Sequence, residues 1–112
     1  MATAVEVYSQ GEQLKEAGQY EQALAKFEEA VRIDATFPLA HYALAVMYGK
    51  LGRHEEAVQA GERACQLEPD EPFAHTALSL TCQRAFAGTR DRRYLQLAEQ
   101  AMMQGQLLQP RP

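Results

Sequence analysis

Residues 18–34, GQYEQALAKFEEAVRID, and residues 52–68, GRHEEAVQAGERACQLE, carry one pattern at a separation of 34 positions. Gly18 meets Gly52, Glu21 meets Glu55, Ala23 meets Ala57, Ala30 meets Ala64, Ile33 meets Leu67 and Asp34 meets Glu68. The register runs outward from there: Pro38 falls on Pro72, Ala40 on Ala74, His41 on His75, Ala43 on Ala77 and Leu44 on Leu78. A fixed period of this length marks a stacked array, because one small unit cannot bury both of its faces alone.

Each unit reads as two helices. In the first unit Val7, Gly11 and Leu14 form an apolar pattern that stops at Gly18. A second stripe then runs through Tyr20, Ala23, Leu24, Phe27, Ala30, Val31 and Ile33 at spacings of three and four. Glu21, Gln22, Glu28, Glu29 and Arg32 make the solvated face. Gly18 and Gly52 stand where a chain must leave a helix through the left-handed region. Pro38 and Pro72 open helices, where a missing N–H costs nothing, and Asp70 is the expected N-cap before Pro72. The alanines let paired helices approach. Tyr20, Phe27 and Ile33 are expected to fill the gap to the next hairpin.

These residues resemble the tetratricopeptide repeat family. The likeness rests on Gly18 to Leu24 with Phe27 and Ala30, and on Leu44, Ala45, Tyr48, Gly52, Ala57, Ala64 and Pro69. It implies an all-α, right-handed superhelical solenoid of three antiparallel helix-turn-helix units, 4–37, 38–71 and 72–112, forming one domain over 1–112. Two positions depart from the family pattern. The first helix offers Val7, Gln10 and Gly11 where a bulky residue and Leu-Gly are usual. Gly61 replaces the aromatic of the second helix, which leaves room for a bulky neighbour and weakens that helix by up to about 1 kcal/mol.

The third unit breaks the period. Ala98 aligns with Ala57, Gly105 with Ala64, Leu108 with Leu67 and Pro110 with Pro69, each 41 positions apart, seven more than the earlier period. Seven residues are about two turns, so both helices should lengthen by about one turn around a hairpin near Ala87–Asp91. Arg84, Arg90, Arg92 and Arg93 gather there, either as a solvated loop or as a contact for an anion or an acidic partner. Glu99 and Gln106 stand where earlier units are apolar, which predicts a capping helix. Leu97, Met103 and Leu107 fall where earlier units are polar and could cover a homodimer interface, unless the helix is rotated to bury them.

Composition fits an ordinary soluble globular protein. The 112 residues are 46% hydrophobic and 23% charged, with 11 basic against 15 acidic side chains. That balance predicts neither a nucleic-acid nor an anionic-membrane binder. Met1–Glu6 has no basic or apolar leader, and Cys65 and Cys82 follow no disulfide framework, so a cytoplasmic protein with reduced thiols is expected. Both cysteines lie on apolar stripes and read as buried small hydrophobes. His41 and His75 are repeat equivalents, and His54 replaces the Tyr20 type. None has a second ligand at metal-binding spacing. No phosphate loop, nucleophile elbow or paired carboxylates occur, so neither enzyme activity nor a cofactor is expected.

The resemblance implies a concave groove lined by the first helix of each unit. Its candidate residues are Val5, Tyr8, Glu12 and Lys15, then Leu39, Tyr42, Val46 and Lys50, then Phe73, Thr76, Leu80, Gln83 and Arg84. One branch of the family clamps the carboxylate tail of heat-shock chaperones with Lys, Asn, Asn, Lys and Arg. Those places hold Tyr8, Glu12, Ala43, Phe73 and Ala77 here, which disfavours that clamp. The groove is apolar instead, and Tyr8, Tyr42 and Phe73 either anchor a bound chain or pack on one another. The expected function is a non-catalytic scaffold or adaptor that binds a peptide or helix of a protein partner. The alternative is a structural protein that self-assembles into homo-oligomers.

Overall fold

Two glycines set the hairpins. Gly18 and Gly52 adopt φ of 78° and 77°, and the chain closes over each with a 6→1 bond, Gln19 N–H to the Leu14 carbonyl and Arg53 N–H to the Tyr48 carbonyl. Each turn ends one helix and starts an antiparallel one. In the computed structural model, which describes residues 1–110, this yields α1 (Ala4–Glu16), α2 (Tyr20–Ile33), α3 (Pro38–Lys50), α4 (His54–Leu67), α5 (Pro72–Thr89) and α6 (Arg92–Leu108). No strand occurs among the described residues. Pro38 and Pro72 sit in the first turns of α3 and α5. The α5 cap is Glu71 rather than Asp70: its carboxylate accepts the Phe73 N–H at 3.3 Å.

The helices pack as three hairpins, α1–α2, α3–α4 and α5–α6, with α2 against α3 and α4 against α5. Small residues make the close approach within each pair: Ala23 and Ala30, Ala57 and Ala64, and Ala98 and Gly105 are all buried. The core is built from Leu24, Phe27, Leu44, Met47 and Tyr48 between the first two hairpins, and from Val58, Cys82 and Tyr94 between the second and third. Ile33 is exposed rather than filling an inter-hairpin gap; it is the last residue of α2. The recurring histidines staple the connections. His41 Nε2 donates to the Ala35 carbonyl and His75 Nε2 to the Pro69 carbonyl, both at 2.8 Å.

In the third hairpin the insertion lengthens α5 to 18 residues and α6 to 17, against 13 and 14 in the hairpin before it. Ala87, Gly88 and Thr89 are helical, so the turn is only Arg90–Asp91. Arg90 takes the left-handed position at φ 62° without being a glycine. Asp91 caps α6 by accepting the Arg93 N–H at 3.0 Å and pairs with the Arg93 guanidinium at 2.8 Å. Arg90 lies over the Phe86 ring and Arg93 over Tyr94. Leu97 is part of the core around Tyr94 and Ala98. Met103 and Leu107, at 63% and 62% exposed, are not buried by any rotation of the helix.

Candidate functional site

The inner wall is formed by α1, α3 and α5, and its two seams are built differently. In the α1–α3 seam, Phe27 reaches in from α2 and is fully buried. Its ring occupies the space over Gly11, where an added Cβ would stand 2.6 Å from Phe27 Cε1. Tyr8 stacks obliquely on Phe27 at 5.6 Å between centroids and edge-on against Phe37 at 5.5 Å. What remains toward solvent is a shallow depression of about 190 Å3 bordered by Tyr8, Leu39, Tyr42, Val46 and the Glu12–Lys15 ion pair, 3.0 Å apart. Burial and the Glu12 carboxylate hold the Tyr8 hydroxyl above the usual tyrosine pKa.

In the α3–α5 seam the equivalent of Phe27 is Gly61. Leu78 Cδ1 takes part of the vacated room, 3.0 Å from where a Cβ would be. The rest is an open hollow of about 220 Å3 with Gly61 and Ala45 in its lining, walled by Tyr42, Val46, Phe73, Ala77 and Leu80, with Arg84 also on its lining. Tyr42 and Phe73 meet edge-on at 5.1 Å and separate this hollow from the first depression. Tyr42 is held in place: its hydroxyl donates to Glu68 Oε1 at 3.0 Å. Burial, followed by that hydrogen bond, pushes its pKa far above the ordinary value. Phe73 presents 59% of its surface to solvent.

Of the candidate groove residues, Tyr8, Glu12, Lys15, Leu39, Tyr42, Val46, Phe73, Thr76, Leu80 and Arg84 line one hollow or the other. Val5 is exposed but borders neither. Lys50 is turned away to the far end of α3, its ammonium 5.2 Å from the Tyr20 ring centroid. Gln83 faces the opposite end of the solenoid, where its amide donates to Ser79 Oγ. Tyr8 packs mainly into the molecule, whereas Phe73 lies on the surface.

Two sequence models of repeats match the chain, a TPR repeat over residues 11–52 and a tetratricopeptide repeat over 38–71. The chain belongs to the tetratricopeptide repeat family. No curated protein matches it in sequence. Among solved structures, the second TPR of Spaghetti (RPAP3), bound to the HSP90 peptide SRMEEVD, is 23% identical with a TM-score of 0.77, covering 96% of this chain and 93% of that one. MamA protein is 17% identical, TM-score 0.72, over 98% of this chain and 60% of its own. YrrB, described as a TPR protein with an unusual peptide-binding site, is 17% identical, TM-score 0.66, over 89% and 58%. At these identities the likeness is one of fold.

As a tetratricopeptide repeat, this chain departs from its own period where the second seam is formed. Besides Phe27 to Gly61, Met47 becomes Thr81, so that seam loses volume at two places. Ala45, Ala77 and Thr81 were not singled out from sequence as lining residues. The glycine standing for an aromatic was the signal that pointed to them. The histidines and cysteines serve packing. Burial pushes both thiols up to about 11, so neither is a nucleophile near neutral pH. His54 packs against Gly88, with its Nδ1 buried and unpartnered. Among the described residues no three His, Cys, Asp or Glu side chains cluster as metal ligands do, and no helix is long and apolar enough to cross a membrane.

Proposed function

We propose that the chain is a non-catalytic interaction module, a scaffold or adaptor that holds a peptide or helix of another protein along the inner wall. The three hairpins over 1–112 act as one binding domain, in the cytoplasm. The observation that carries this reading is the alignment of exposed apolar side chains on that wall. Leu39, Phe73 and Leu80, each about half exposed, line two hollows that share Tyr42, Val46 and Phe73 on the first helices of successive hairpins, and Val5 is exposed on α1 beyond them. A contiguous apolar surface of this kind on a small protein marks a partner site, and aromatic residues dominate the energetics of such sites. A tetratricopeptide neighbour bound to a peptide supports a protein or peptide as the partner class. The test is affinity purification from the native cell with the wild-type chain and with Phe73→Glu, a surface change that leaves helical circular dichroism intact. Partners should be lost with the variant. An identical set of captured proteins sinks the reading.

A second reading, self-assembly, is favoured by the opposite end of the solenoid. There a hollow of about 440 Å3 between α5 and α6 is lined by Ser79, Leu95, Met102 and Met103, with Glu99 and Gln106 among them. Met103 and Leu107 of the proposed homodimer surface remain open there, while Leu97 is engaged within the core. Light scattering across concentration separates the readings: a strict monomer removes the second.

A further inference from the structure

We propose that the hollow at Gly61 is a specificity pocket for one aromatic side chain of a partner peptide that carries a carboxylate within about one helical turn, the ring entering the hollow and the carboxylate meeting Arg84. This rests on the groove reading above and names what the groove selects.

The shape argument is internal to the chain. At a spacing of 34, Tyr8, Gly11, Phe27, Ala43 and Met47 correspond to Tyr42, Ala45, Gly61, Ala77 and Thr81. The first set surrounds a phenyl ring of the chain's own; the second set surrounds an opening of about 220 Å3. An apolar cavity of about 150 Å3 already accepts benzene, so the space admits a ring from outside. The opening is lined by Tyr42, Val46, Phe73, Ala77 and Leu80. Of its lining hydroxyls, that of Tyr42 donates to Glu68 and that of buried Thr81 to the Ala77 carbonyl at 3.1 Å, while Thr76 is partly open to solvent. One wall is held before binding, since the Tyr42 hydroxyl is pinned by Glu68, and a preorganised wall loses little freedom on binding.

The charge argument concerns Arg84. It lines the same hollow, is exposed, and has no carboxylate within ion-pair distance among the described residues. The other basic side chains of the inner wall are engaged: Lys15 with Glu12 and Lys50 over the Tyr20 ring. Glu12 is paired with Lys15, whereas Glu68 accepts from the Tyr42 hydroxyl and keeps its negative charge at the Tyr42 side of the pocket. Arg84 is the cation on the pocket lining and has no ion-pair partner among the described residues, so it offers a positive charge beside an apolar opening, the complement of an aromatic residue near Asp or Glu.

The experiment is selection of a phage-displayed random dodecapeptide library on the full chain. It is followed by fluorescence anisotropy of the best synthetic peptide against wild type, Arg84→Gln, Thr81→Met and Phe73→Glu. The enriched peptides should share Phe, Tyr or Trp with an Asp or Glu up to four positions away. Changing the peptide's aromatic residue to Ala should weaken binding at least tenfold. Changing its acid to the amide should weaken binding about fivefold on wild type, the scale of one partly exposed ion pair, and not at all on Arg84→Gln. Thr81→Met restores the bulk that Met47 supplies in the first seam and should weaken the aromatic peptide at least tenfold with helical content unchanged. An acid-to-amide loss equal on wild type and Arg84→Gln overturns the pocket, as does an enriched family without an aromatic residue. If such peptides still lose binding on Phe73→Glu, the groove reading survives that failure. A library that yields no binder, or binders indifferent to Phe73→Glu, overturns both.

Discussion

The two seams of the inner wall start from the same repeat and end as opposites. Between α1 and α3 a phenyl ring closes the gap, and Tyr8 is drawn inward onto it. Between α3 and α5 the ring is replaced by a hydrogen, so Tyr42 and Phe73 stand edge-on over a space that the chain does not fill. The same helical register therefore produces a core contact in one place and an open apolar hollow in the other. What differs is side-chain volume at two positions in 34, Phe27 against Gly61 and Met47 against Thr81. A stacked solenoid tolerates this because each hairpin contacts only its neighbours, so the cost of an underfilled seam stays local.

Removing the ring from the first seam should have the largest effect. Phe27→Ala deletes a fully buried aromatic and is expected to cost about 3–5 kcal/mol in chemical denaturation. A smaller loss would mean that the first seam is not the tighter one. The two seam glycines should then respond with opposite signs to the same change. At Gly11 the new methyl meets the side of a buried ring that has nowhere to go, so Gly11→Ala should destabilise by about 1–3 kcal/mol despite the better helix former. At Gly61 it meets only the free end of Leu78, which can give by a few tenths of an ångström, so Gly61→Ala should stabilise by up to about 1 kcal/mol. Equal signs would break the comparison.

Tyr48 extends the contrast to alkaline pH. Burial, and then the hydrogen bond from its hydroxyl to Glu28 at 2.9 Å, push its pKa up to about 12. The folded state thus keeps a proton that the unfolded chain loses near pH 10. The Tyr48 contribution to stability should fall as pH rises from about 10 to about 12 and be lost above that. Thermal melts of Tyr48→Phe should show a shallower fall in that window, with about 1 kcal/mol lost at neutral pH for the missing hydrogen bond. Arg90→Gly should matter least. Glycine relieves the left-handed backbone, but it adds freedom to the unfolded chain and removes the contact with Phe86, so the midpoint should move by no more than about 0.5 kcal/mol. Gly18→Ala, by contrast, should cost about 1 kcal/mol.

Most of the fold was legible in the chain. The helix stops at Gly18 and Gly52 and the starts at Pro38 and Pro72 correspond to observed elements, and α5 and α6 are longer than α3 and α4. These are local signals: a positive φ, a missing N–H and a three-to-four spacing each act within a few residues. Several side-chain placements were not legible. Asp70 gave way to Glu71 as the cap, Ile33 stayed exposed at the end of α2, Lys50 turned onto Tyr20, and Leu97 joined the core while Met103 and Leu107 stayed open.

By itself, the order of residues determined that this chain is a stack of helical hairpins and which helix faces turn inward, because periodicity is written into every few positions. Only the tertiary structure decided which inward residues are used up in the core and which are left open to solvent. That outcome depends on how much volume three helices bring to one seam, and no single stretch of sequence contains that sum.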